Sequence, residues 1–240
     1  MRPLLIVKTG QALPRTRERC GDFEHWIASA MGWALDRFLV APVHEGARLP
    51  DPASVSGVIV TGSPAMVSDR EAWSVEAGGW LASAVSLGSP VFGICYGHQL
   101  LAEALGGSVG KSPVGREIGT VEVERLDDAG ADPLFGAVPE RFEVHVTHVE
   151  SVLSLPPGAR RLAGNAADPH HAVAFASRAW GVQFHPEFDG EVMRGYLDER
   201  GEVLASEGLD PDGLRRNVRE CPDSRALLQR FGTLVESWEE

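Results

Sequence analysis

The segment Pro90-Val91-Phe92-Gly93-Ile94-Cys95-Tyr96-Gly97-His98-Gln99 constrains the fold more than any other part of the chain. A short apolar run ends in Gly-x-Cys-x-Gly and passes without a linker into a helix-like stretch. Such a run reads as a buried strand, and a strand that feeds a helix directly belongs to a parallel sheet covered by helices. At this kind of corner the central side chain is pushed out of the fold toward substrate. The flanking glycines are expected to let the backbone turn sharply and let neighbours approach closely. With Cys95 at its centre the corner presents a thiol beside a helix N-terminus, whose dipole favours thiolate. Most cysteines are small buried hydrophobes; Cys95 departs from them by its setting. Cys20, in a polar loop, and Cys221, before a proline, lack that setting and read as structural.

A matching half lies downstream in Gly181-Val182-Gln183-Phe184-His185-Pro186-Glu187-Phe188, a second apolar run that ends in a histidine with a carboxylate two positions on. Residues i and i+2 of an extended segment point the same way. Glu187 can then hold the imidazole while His185 takes and returns protons at Cys95.

The surrounding pattern places both halves. Leu4–Val7, Phe38–Val43, Val55–Val60 and Pro90–Ile94 read as strands. Thr9 to Gly21 reads as a polar, basic loop, and Asp22 as the cap of a helix with Phe23, Trp26, Ile27, Ala30 and Met31 on one face. Residues 70–87 read as a helix ending near Gly88. This alternation predicts an α/β fold with a doubly wound, mostly parallel central sheet and flanking helices. Ligands in such sheets sit outside the carboxyl ends of the strands, where Thr61-Gly62-Ser63 and Cys95 fall. Within residues 107–184, Thr120–Val123, Phe142–Thr147, Ala172–Ala176 and Trp180–Phe184 predict a small antiparallel extension. After Asp189 the chain reads as helical, with Leu227, Phe231, Leu234, Val235 and Trp238 on one face behind Pro222-Asp223-Ser224. One domain over 1–240 is expected, with a core over 1–190 and a helical extension over 191–240.

The 240 residues can bury a substantial core, and 43% hydrophobic with 23% charged residues is ordinary for a globular chain. A net charge of −12 argues against nucleic acid or an anionic membrane as partner. Three dispersed cysteines form neither a disulfide framework nor a zinc spacing, which points to a reducing cytoplasm. No apolar run approaches a membrane span or a signal peptide. His170-His171, near Asp168, reads as a solvated pair in a loop, and His98 as turned away from Cys95.

Three blocks, Val58-Ile59-Val60-Thr61-Gly62-Ser63-Pro64, Gly93-Ile94-Cys95-Tyr96-Gly97-His98-Gln99 and Gly181-Val182-Gln183-Phe184-His185-Pro186-Glu187, resemble the signature blocks of class I glutamine amidotransferases in order and spacing. The likeness covers about residues 1–190. Gly21-Asp22-Phe23 and Gly115-Arg116-Glu117-Ile118-Gly119 are similar to the branch related to the glutaminase domain of GMP synthase, which includes γ-glutamyl peptidases. The resemblance implies the flavodoxin-like fold of that family and a Cys95-His185-Glu187 triad that cleaves the γ-amide of glutamine through a γ-glutamyl thioester. It implies an oxyanion hole from the backbone N–H groups of Tyr96 and Ser63, where the family usually has Gly, with Gly62 as the flexible point of that loop. It assigns substrate contacts to Gly62 and Gln99. It extends them to His148 and Glu150 in Thr147-His148-Val149-Glu150, which departs from the Ser-His-Gly-Asp of GMP synthase. No cofactor and no metal are expected. With no Gly-x-x-x-x-Gly-Lys-Ser/Thr loop for ATP, the released ammonia is expected to serve a separate synthetase subunit. The alternatives are a stand-alone hydrolase of γ-glutamyl conjugates and a thiol-based redox sensor; the His185-Pro186-Glu187 block argues against the sensor.

Overall fold

Strands β1 (Leu4–Lys8), β2 (Phe38–Pro42), β3 (Gly57–Val60) and β4 (Val91–Ile94) run parallel in the order β2-β1-β3-β4. The computed structural model describes residues 2–239, apart from the side chain of Asp128; Met1 and Glu240, the ends of the expected domain, lie outside them. Every residue of β1, β3 and β4 is buried, so both faces of these strands must be apolar. The alternation of the pleat shows in β1, where Leu4 and Ile6 enter the core on one face and Leu5 and Val7 the core on the other.

Helices α2 (Phe23–Met31) and α7 (Pro222–Glu239) cover the first face through Ile27, Met31, Leu227 and Phe231; α3 (Ala72–Ser86) and α4 (Tyr96–Ala104) cover the second through Ala77, Leu81, Leu100 and Leu101. The chain continues through β5 (Ser108–Lys111), β6 (Glu117–Arg125), β7 (Arg141–His148), β8 (Glu150–Ser154), β9 (Arg160–Gly164), β10 (Ala172–Ala176) and β11 (Ala179–Val182). The nine-stranded sheet has the order β2-β1-β3-β4-β11-β10-β9-β6-β7, and β5 pairs with β8 in a separate ribbon.

Two expectations are corrected. β11, read as part of the antiparallel extension, pairs parallel with β4, and the antiparallel half begins only at β10. Residues Pro14–Cys20, read as loop, form helix α1, so Cys20 ends a helix rather than lying in a loop. Pro14 sits in its first turn, where a missing N–H is harmless. The carboxylate of Glu199 accepts from the N–H groups of Arg15 and Thr16 at 3.2 and 3.1 Å. Glu199 lies on α5 (Gly190–Ser206), which precedes the short α6 (Pro211–Arg216). The side-chain cap therefore comes from far along the chain, and Pro14 in the first turn is the local signal that this helix carries.

The start of α2 follows the sequence reading. Asp22 Oδ1 accepts from the N–H groups of Phe23 and Ala12 at 2.9 and 2.8 Å, while Lys8 Nζ lies 2.8 Å from both Asp22 Oδ2 and Glu24 Oε2. Burial alone would raise the Asp22 pKa, but the Lys8 ammonium and the two amides hold it below its ordinary value. Removing one partner of a buried pair strands the other. Asp22→Ala is accordingly expected to cost about 3 kcal/mol in urea unfolding, and a loss under 1 kcal/mol (about the value of a surface pair) would show that the cluster does not hold α2.

Candidate active site

Cys95 follows β4 and caps α4 with φ 49° and ψ −100°; among the described non-glycine residues only Arg70 also has a positive φ, and it sits in the ordinary left-handed helical region. A side chain resists that region, and the surroundings enforce it. The Cys95 N–H donates to the carbonyl of Val182 at 2.7 Å, and the Gly97 N–H to the carbonyl of Thr61 at 3.2 Å. The flanking glycines serve a purpose other than the expected sharp turn, since neither has a left-handed φ. A Cβ on Gly97 would lie 2.5 Å from the Val60 carbonyl oxygen, and one on Gly93 would lie 2.6 Å from Gly97 backbone. They allow close approach, and Cys95 itself carries the unusual dihedral.

His185 follows β11 at the same sheet edge. Its Nδ1 is 2.8 Å from Glu187 Oε1, its N–H donates to the carbonyl of His145 at 2.8 Å, and both side chains of the pair are buried. The rings of Phe188 and Phe23 run nearly parallel to the imidazole, with centroids 4.2 and 6.5 Å away. Cys95 and His185 line one cavity, together with Phe23, Ser63, Thr147 and Arg200. Burial alone would lower the His185 pKa, but the Glu187 carboxylate and the charge of the Cys95 sulfur outweigh it and push it up to about 10. His185 Nε2 has no aligned hydrogen-bond partner among the described residues. The imidazole and the Cys95 sulfur are thus coupled by charge across the shared cavity rather than by an aligned hydrogen bond.

The loop after β3 is tied down by Thr9, whose Oγ1 donates to the carbonyls of Thr61 and Gly62 at 3.0 Å each. Ser63 Oγ donates to the Thr9 carbonyl at 2.8 Å and accepts from the Ala65 N–H at 3.1 Å. Neither Ser63 nor Gly62 has a left-handed φ, so a serine fits the family's usual glycine position. Gly62 is needed for space rather than as a flexible point: a Cβ there would meet His185 Cε1 at 2.8 Å.

The cleft in front of Cys95 is lined by Ser63, Tyr96, Gln99, Arg116, Glu150 and Arg200, with Thr147, His148 and Val149 forming one wall. Gln99 Nε2 donates to the Glu150 carbonyl at 2.8 Å and to Gln183 Oε1 at 3.0 Å. Both nitrogens of His148 face acceptors, Nδ1 the Glu150 carbonyl and Nε2 Glu117 Oε2, each at 3.0 Å. The Glu150 carboxylate bonds the hydroxyl and N–H of Ser68.

Residues 23–200 match the family described as glutamine amidotransferase class-I. The chain belongs to that family. A GMP synthase (glutamine-hydrolysing) from Aeropyrum pernix is 42% identical over 157 residues, covering 63% of this chain and 28% of the relative. One from a Parafrankia species is 38% identical over 224 residues, covering 91% of this chain and 37% of the relative. The chain thus spans well under half the length of these curated relatives. Among solved structures, a glutamine amidotransferase from Thermotoga maritima superposes with a TM-score of 0.77 at 22% identity, covering 98% of both chains. One from Methylobacillus flagellatus gives 0.76 at 21% identity, covering 100% of this chain and 94% of the other. At these identities the two structures speak for the fold.

Several residues of this class I amidotransferase site escaped the sequence reading. Gln183 Nε2 lies 3.5 Å from Cys95 Sγ, and only its place in the Gly181–Glu187 block could have flagged it. Phe188 gave no signal beyond apolarity, Phe23 was flagged only within Gly21-Asp22-Phe23, and Arg200 reaches the cleft from α5, outside all three blocks. His171, read as solvated, is fully buried, because its loop folds inward against Glu117. His98 is also buried, with its ring against Phe175. Cys221 is a buried thiol, pushed up to about 12 by burial.

The elevated His185 pKa has a thermodynamic consequence. Its folded value of about 10 lies above the ordinary 6.5, so the folded state holds the proton more tightly than the unfolded one. The resulting stabilisation is complete below pH 6.5 and is lost as pH rises through about 10. The stability margin of wild type over His185→Gln in urea unfolding should therefore be largest near the acidic end of that window and shrink toward the alkaline end. A margin that grows with pH would contradict the ion pairing.

Proposed function

We propose that this chain hydrolyses the γ-amide of glutamine with Cys95 as nucleophile, His185 as proton carrier and Glu187 as its orienting acid. The observation that carries the reading is a thiol held at a strained elbow in the same cavity as an imidazole bonded to a buried carboxylate. Cys95 Sγ attacks the amide carbon, and the carbonyl electron pair moves to oxygen. That oxyanion faces the N–H groups of Tyr96 and Ser63; the first N–H of a helix has no acceptor within the helix. Collapse breaks the C–N bond as His185 gives its proton to nitrogen, and ammonia leaves. Water then loses a proton to His185 and adds to the γ-glutamyl thioester, releasing glutamate and restoring the thiolate–imidazolium pair.

Gln99, Gly62, His148 and Glu150 are assigned to the substrate wall. Both His148 nitrogens already have acceptors, so its side chain holds the wall while the neighbouring main chain meets glutamine. Arg116 and Arg200 supply positive charge for the α-carboxylate. The ammonia is passed to a synthetase, a reading supported by relatives that are glutamine-hydrolysing GMP synthases. Residues 1–240 act as one domain, and among the described residues no helix is long and apolar enough to cross a membrane.

The deciding measurement is ammonia or amine release from glutamine, γ-glutamyl amines and γ-glutamyl peptides by the same protein. Preference for glutamine, with the rate raised by a synthetase, supports the amidotransferase reading. Fast cleavage of a conjugate with glutamine inert would assign a γ-glutamyl hydrolase instead. Cys95→Ala should lower turnover by about 10⁴-fold or more, His185→Ala by about 10³-fold, and Glu187→Gln by less than His185→Ala. Wild-type turnover in Cys95→Ala would end the proposal. Gly62→Ala places a methyl against His185 and should lower kcat by about 100-fold. An unchanged kcat would show that the imidazole position is not critical.

A further inference from the structure

Behind the cleft wall, Glu117, His148 and His171 bring three ligand atoms within 4.8 Å of one another. Glu117 and His148 stand opposite each other on β6 and β7, and His171 comes from the loop before β10. Glu117 Oε2 lies 3.0 Å from His148 Nε2 and 3.1 Å from His171 Nε2. We propose that these three side chains form a binding site for a divalent transition-metal ion of the zinc class, one that braces the wall of the cleft from behind.

The donor set fits. Two imidazoles and one carboxylate suit zinc, with bonds of about 2.0–2.2 Å. Ligands at that distance around a tetrahedral ion stand about 3.4 Å apart, so the observed 3.0 and 3.1 Å separations need open by only a few tenths of an ångström. The atoms around the ligands match as well. A metal-bound imidazole usually donates its other N–H to a carbonyl, and His148 Nδ1 faces the Glu150 carbonyl at 3.0 Å. The second oxygen of Glu117 accepts from Asn165 Nδ2 at 2.7 Å, which orients Oε2 toward the imidazoles.

A hydrogen-bonded cluster alone would leave His171 unexplained. Its ring is fully buried, and neither nitrogen has an aligned hydrogen-bond partner among the described residues, although Nε2 is at contact distance from Oε2. Two ligands of one ion would likewise stand at contact distance without being aligned as donor and acceptor. The ion would join β6, the end of β7 and the loop before β10, beside the start of β8, where Glu150 lines the cleft. It takes no part in the reaction at Cys95, and the sequence expectation of no metal is set aside here because its ligands are distant in the chain.

The test is metal content after the chelated full chain is incubated with Zn²⁺ or Co²⁺ and desalted. One ion per chain should be retained by wild type and by Cys95→Ala, and the Co²⁺ form should show the intense visible bands of a four-coordinate site without a sulfur charge-transfer band. Binding should weaken at least tenfold in His171→Gln and Glu117→Gln, and by about tenfold in Asn165→Ala, which leaves all three ligands in place. The proposal is overturned by no retention above a protein-free control, by retention equal in His171→Gln and wild type, or by loss of the ion in Cys95→Ala. The wild-type cobalt spectrum decides the question even if a ligand variant fails to fold. Because Cys95→Ala keeps the ion while losing turnover, failure of the metal site and failure of the amidotransferase reading remain separable.

Discussion

The site depends on how closely three pieces of backbone are packed. The first turn of α4 rests on the end of β3, with Gly97 against the Val60 carbonyl, and the loop after β3 rests against His185 through Gly62. These approaches leave no room for a methyl group, so β3, β4 and β11 must meet with their ends in register. The parallel pairing of β4 with both neighbours supplies that register. The positive φ at Cys95 persists because its amide is bonded to Val182 on one side and the helix begins at once on the other. Strain of this kind is held only where the surrounding structure over-determines it.

The imidazole is the second constraint. A buried neutral histidine would be the cheaper state in an apolar setting, and His145 shows it: burial, together with the charge of His185, pushes it down to about 4. His185 is buried as deeply and goes the other way, because Glu187 and Cys95 outweigh desolvation. One of the rings beside it traces back to the start of the chain. Lys8 holds Asp22, Asp22 caps α2, and the first residue of that helix is Phe23, whose ring runs parallel to the imidazole. A buried ion pair far from the thiol in sequence thereby anchors one of the rings that lie beside the imidazole.

The two halves of the sheet divide the work. The parallel half carries the thiol, the imidazole and the backbone amides of Ser63 and Tyr96. The antiparallel half, with β8, builds the cleft wall from Thr147 to Glu150, and α5 adds Arg200. That division accounts for where this chain departs from the blocks it resembles: the departures at residues 147–150 lie in the wall and not at the elbow. Ser63 shares the cavity of Cys95 and His185, and there the hydroxyl donates to the Thr9 carbonyl while the backbone keeps a negative φ.

The parallel strands, the elbow and the pairing of His185 with Glu187 were legible in the amino-acid sequence, because each is set by neighbours a few residues apart: an apolar run, a cap, a glycine beside the cysteine, a carboxylate two positions from a histidine. What lay beyond reach depends on partners distant in the chain. Helix α1 is capped by Glu199, β11 joins β4 rather than its nearer neighbours alone, Arg200 enters the cleft from α5, and His171 turns inward to Glu117. Local chemistry decided which residues could react. Only the tertiary structure decided which of them face one another, because burial and close approach belong to the packed chain and not to any segment of it.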